Sequence, residues 1–150
     1  MKNIIIITLL FFVCGCGYTS IYKNLGNQDF QIIINKIEGD KDMNNYIKNQ
    51  IDLYSNKNSI NKFNVTIITE YNKEELAKNT SGSVTDYKLS AKSIFTIYFN
   101  EKSKKVIFNE SINIKNQTNN FEQDSYEKNI KINFASSLRE KMISEILSLK

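Results

Sequence analysis

Between Phe63 and Ile114 the apolar residues keep to alternate positions, and this pattern limits the chain more than any other feature. Side chains of a strand alternate between two faces, so a period of two marks a sheet with one face turned to a core. Phe63, Val65 and Ile67 point one way, while Asn64, Thr66 and Glu70 point the other. Tyr87, Leu89, Ala91, Phe95, Ile97 and Phe99 repeat the pattern, and Val106, Phe108, Ile112 and Ile114 repeat it again. The segment "NKEELAKNTSGSVTD" between the first two runs offers Asn79, Ser81 and Gly82 as a hairpin tip, and "NEKSKK" at 100–105 reads as a second turn. Three antiparallel strands in a meander follow.

The flanks change period. "FQIIINKI" from Phe30 to Ile37 is a short β-rich run. After Gly39, Asp40 stands where a helix N-cap would, and Met43, Tyr46, Ile47, Ile51 and Tyr54 recur at three- and four-residue spacing, the mark of an amphipathic helix. Past "NQTNN", Asn120 with Gln123 resembles a capping box, and Tyr126, Ile130, Phe134, Leu138, Met142 and Ile146 recur every four residues. The order β-α-β-β-β-α predicts an α+β, two-layer sandwich: a four-stranded, mostly antiparallel sheet with two helices on one face. The other face would present Asn, Thr, Lys and Ser.

At 150 residues the chain supports one domain with one modest core. Its net charge of +4 is spread over twenty bases and sixteen acids, with no basic stripe, so no nucleic-acid partner is expected. Histidine is absent, which removes the usual general base and the commonest metal ligand. No paired-carboxylate or Cys-x-x-Cys motif replaces it, so neither catalytic residues, metal ligands nor a cofactor are expected. A lipid-modified hydrolase would have to work through Lys, Asp or Glu as its base.

The amino terminus carries a different signal. Lys2 precedes an apolar run from Ile4 to Val13, interrupted only by Thr8 and followed by small residues, which is the charged, apolar and small-residue order of a secretory signal. The run is too short to span a bilayer, which takes about 20 apolar residues. Val13-Cys14-Gly15-Cys16 resembles the bacterial lipobox, with a branched apolar residue three before the modified cysteine and a small one just before it. That resemblance makes residues 1–15 a signal peptide, Cys16 the lipidated residue and membrane anchor, and 16–29 a lead-in to a domain over 30–150. A zinc site has no second cysteine pair or histidine to complete it, and a disulfide across one residue would be strained. Gly17 rather than aspartate after Cys16 resembles the sorting signal for the outer membrane, on its periplasmic side.

"CGYTSIY" at 16–22, "LAKNTSGSVTDYKLSAKSIFTIY" at 76–98 and "NNFEQDSYEKNIKINFASSLREKMISEIL" at 119–147, in this element order, resemble the LPS-assembly lipoprotein LptE family. The resemblance covers nearly all of the mature chain. It implies a non-enzymatic subunit that plugs the LptD-type outer-membrane β-barrel, helps assemble it and binds lipopolysaccharide. Basic residues of the hairpin tip and of the turn before the last helix are the family's lipid contacts. Here those regions offer Lys73, Lys78 and Lys88, then Lys115, with no arginine at the tip; Lys78, Lys88 and Lys115 are the candidate phosphate contacts. The alternative is another outer-membrane assembly lipoprotein, pilotin-like or chaperone-like, unrelated to lipopolysaccharide.

Blander readings stand beside these. A lysine in a turn is more often a solvated charge than a ligand. Lys102, Lys104 and Lys105 could meet anionic lipid, but lysines between strands commonly serve solubility and edge protection. Tyr126, Phe134 and Met142 could line a lipid pocket, but such a stripe is far more often core. Asn-x-Ser/Thr triplets at Asn64, Asn79, Asn109 and Asn116 are expected by chance in so Asn-rich a chain.

Overall fold

The computed structural model describes residues 29–150; the signal peptide, Cys16 and most of the lead-in lie outside them. The order is β1 (Gln31–Gly39), α1 (Lys41–Asp52), β2 (Lys62–Lys78), β3 (Val84–Phe99), β4 (Lys102–Lys115) and α2 (Asn120–Leu149). The strands form one sheet in the order β1-β2-β3-β4. β1 runs parallel to β2, and the other two pairings are antiparallel. The α+β sandwich expected from the periodicity is therefore present.

Alternation sets which face is buried. Phe63, Val65 and Ile67 of β2, and Leu89, Ala91, Phe95 and Ile97 of β3, meet Met43, Ile47 and Ile51 of α1 and Leu138, Met142 and Ile146 of α2 in one core. Burying side chains of this size stabilises by about 1.5–3 kcal/mol each. Phe63 stacks on Phe99 with ring centroids 4.2 Å apart. In β1 a register shift between Ile34 and Lys36 leaves Asn35 unpaired, so Ile32 pairs with Phe63 before it and Ile37 with Ile67 after it. One extra residue turns the strand's odd positions inward.

The turn from β1 into α1 depends on glycine. Gly39 has φ +102, and a Cβ there would overlap the Thr69 carbonyl oxygen. Asp40 then caps α1, accepting from the Met43 amide at 2.8 Å. The buried Thr69 hydroxyl donates to Asn44 Oδ1 at 2.6 Å, tying β2 to the first turn of the helix.

Several boundaries differ from the expectation. The segment 72–78 is strand, not hairpin tip, because its amides keep pairing with β3 without any apolar face; the tip is only 79–83. There Asn79 Oδ1 accepts from the Ser81 and Ser83 amides, and Gly82 takes φ +82. Lys102, Lys104 and Lys105 lie in β4, because Asn100, with φ 53, closes the turn within two residues. α2 is capped by Asn119, which accepts from the Phe121 amide at 2.8 Å, rather than by Asn120. Gln123 closes the preceding loop instead, accepting from the Gln117 amide at 2.9 Å.

Tyr126 is also displaced from its expected place in the core: it is exposed, while Gln123 and Ile130 are buried. At about 100° per residue, each four-residue step rotates the stripe by roughly 40°, so six such positions cannot face one surface. Phe134, Leu138, Met142 and Ile146 are buried as the spacing predicts. Arg139, the chain's one arginine, is buried beside them. Its guanidinium carbon lies 3.9 Å from the Tyr54 ring centroid, and Nη2 donates to Ser136 Oγ at 2.7 Å and to Glu140 Oε1 at 3.3 Å.

Candidate functional site

On the helix-covered side of the sheet, β2 and β3 run past the end of β1, which stops opposite Thr69. A polar network forms under this extension. Tyr71 donates its hydroxyl proton to Glu127 Oε1 at 2.8 Å, and Lys73 Nζ donates to Glu127 Oε2 at 2.8 Å. Lys73 also lies over the Tyr87 ring at 4.5 Å, and Lys131 over the Tyr71 ring at 4.4 Å. Lys131 continues to Asp42 of α1 at 3.1 Å. Burial alone would raise the Glu127 carboxyl, but hydrogen bonds from Lys73 and Tyr71 and the Lys73 and Lys131 charges hold it below its ordinary range. The Tyr71 hydroxyl is pushed well up, by burial first and then by the Glu127 bond. The network fastens α2 and α1 to the extended hairpin and borders a concavity of about 290 Å³ between the helices.

The helix-free face is arranged in cross-strand rows. Glu74-Lys88-Asn113, Asn72-Ser90-Ser111 and Glu70-Lys92-Asn109 line its distal half, partly enclosing an open hollow of about 450 Å³. Amides, hydroxyls and charges of both signs alternate there, so the hollow offers hydrogen bonds in many directions rather than one dominant charge. The expected Asn, Thr, Lys and Ser are present, but a row of isoleucines crosses them. Ile68 pairs with Ile94, and Ile94 with Ile107, and both outer members are exposed. They occupy the off-phase positions of their strands, which simple alternation assigns to polar residues.

The three candidate lysines do not form one site. Lys88 and Lys115 are diagonal neighbours on the helix-free face, where Lys88 pairs with Asn113 and Lys115 with Asp86. Lys78 is turned the other way, bound to Glu75 at 2.9 Å on the side of Tyr87. The Glu75 hydrogen bond raises the Lys78 ammonium above its ordinary value. Lys73 is likewise engaged, by Glu127. Among the described residues no group of three or more Cys, Asp or Glu could hold a metal ion, and no helix is long and apolar enough to cross a membrane. Sequence reading missed the Glu127 network; a Tyr-x-Lys pair on β2 facing a helix with Glu127 and Lys131 four apart was its only trace.

No protein-family profile and no curated protein sequence matches the chain. Solved structures do. Rare lipoprotein B from Shewanella oneidensis superposes with a TM-score of 0.56 at 15% identity, over 77% of this chain and 98% of that one. The chain shares the fold of that protein. A protein from Caulobacter crescentus CB15 described as a lipoprotein superposes with a TM-score of 0.50 at 6% identity, over 87% of this chain and 95% of that one. At such identities the likeness is one of fold.

Proposed function

We propose that the protein is a lipid-anchored outer-membrane subunit of the lipopolysaccharide translocon, non-enzymatic, which plugs and helps assemble an LptD-type β-barrel and assists lipopolysaccharide insertion. The observation that carries this reading is the pairing of a lipobox ending at Cys16 with a domain whose fold is shared with rare lipoprotein B. The helix-free face supports it. A plug in a water-filled, polar-lined barrel needs outward groups that pair with many partners, and rows of Asn, Ser, Lys and Glu supply them. Lys88 and Lys115, side by side and free of the pairing that holds Lys78, are the lysines best placed to meet lipopolysaccharide phosphates.

A mild-detergent pull-down of the protein from its own membranes tests the reading. A large β-barrel of the LptD type should be recovered in roughly equal amount, and Cys16→Ala should abolish acylation of the chain. Recovery of a secretin instead would support a pilotin-like role, and recovery of no barrel would remove the plug reading.

A further inference from the structure

One end of the molecule gathers both termini of the described chain. Asp29 bonds Asn61 and Lys150, Gln31 pairs with Lys62, and Lys104 reaches Ser148 and Glu145. β1 and β2 therefore start here, α2 ends here, and the β3–β4 turn at Asn100 closes here. The hairpin tip at 79–83 and the start of α2 lie at the opposite end, roughly 45 Å away by the length of a 30-residue helix.

This end carries an unusual exposure. Ile60, in the loop leading into β2, is 90% exposed, and Leu53 in the same loop is 64% exposed. Lys57 lies in the same loop, Lys62 opens β2 opposite Gln31, and Lys102 opens β4 at the same end. Asp52 and Glu101 offset part of that charge. Lys150 and Lys104 are already taken by Asp29 and Glu145. Two protruding aliphatic side chains with lysines at the same end match the chemistry of a phospholipid headgroup layer, where apolar groups dip below the phosphates and ammoniums stay among them.

Chain length supplies the occupant. Twelve residues, 17–28, separate Cys16 from Asp29, which bounds the reach from anchor to domain at about 45 Å. A lipid at Cys16 thus tethers the molecule by this end, where the described chain begins. We propose that the Ile60 and Leu53 end rests on the phospholipid surface in which Cys16 is anchored, with Ile60 inserted among the headgroups. This rests on the lipoprotein reading but not on the identity of any barrel.

The chain has no tryptophan, so a single introduced indole reports its own surroundings. Ile60→Trp and, at the far end, Phe121→Trp, whose parent side chain is 76% exposed, should be purified as lipidated proteins and reconstituted into vesicles of phosphatidylethanolamine and phosphatidylglycerol. Intact mass and vesicle flotation establish acylation first; unmodified Cys16 would overturn both the anchor and this proposal. Given flotation, the indole emission of the Ile60→Trp protein should shift to the blue. Lipids brominated in the upper acyl chain should quench it at least several-fold more than they quench the Phe121→Trp protein. The quenching should weaken in neutral phosphatidylcholine vesicles. Equal quenching of the two variants, or a blue shift of Ile60→Trp that arises only on adding a partner barrel, would overturn the membrane contact and leave the anchor standing.

Discussion

Glu127 is held by opposing pulls, and their balance can be read in stability. Its carboxyl lies below the usual glutamate value near 4.3 because Lys73, Tyr71 and Lys131 outweigh the burial that would raise it. A depressed folded pKa contributes stability that is present above the unfolded value and lost as pH falls through the folded one. Glu127→Gln should therefore cost about 1–2 kcal/mol at pH 7, since charge-assisted hydrogen bonds from Lys73 and Tyr71 are replaced by weaker ones. At acid pH, once below the depressed folded value, the gap should close, because both side chains are then neutral. Urea unfolding of the two proteins at both pH values decides it, and an unchanged gap would mean that Glu127 acts only by packing. None of this was legible in the sequence, where Tyr71 and Glu127 stand 56 positions apart.

At the scale of elements, the β-rich run of β1, alternation in β2–β4 and the three- and four-residue spacing in α1 and α2 placed every strand and helix. Ends were harder. Residues 72–78 of β2 are almost all exposed, so no burial contrast marked them as strand. Bulges between Glu75 and Lys78 loosen the pairing just before the tip. A segment with few buried contacts and a disturbed ladder opens at low free energy. Amides of 74–78 and 84–86 should exchange with solvent at least about 100-fold faster than those of 63–69 and 93–97, where β2 and β3 are flanked by strands on both sides and roofed by helices. Hydrogen exchange followed by mass spectrometry measures this. Comparable protection throughout would show that the Glu127 network carries its stiffness out to the tip.

At the scale of the whole molecule, the alternating strands and flanking helices dictated the α+β sandwich, but not which surfaces matter. The helix-free face read as uniformly polar because Ile68, Ile94 and Ile107 stand out only when three strands are laid in register. The exposed end around Ile60 is likewise a product of topology, since residues near 29, 60, 100 and 150 meet only in the folded chain. The candidate lysines divided between two faces for the same reason: a bulged strand turned Lys78 away from Lys88 and Lys115.

Arg139 has a consequence for measuring that fold. It is the one arginine in 150 residues, and its side chain is closed between Tyr54 and the core. A protease that cuts only after arginine therefore has a single bond to attack, and that bond is sealed in the native molecule. Its digestion should yield two fragments, split after residue 139, at a rate set by how often α2 lifts off. Where opening and closing outpace cleavage, a substitution that weakens the fold by about 1.4 kcal/mol should speed the appearance of those fragments tenfold. The lone buried guanidinium makes the chain its own unfolding clock, read as two bands on a gel.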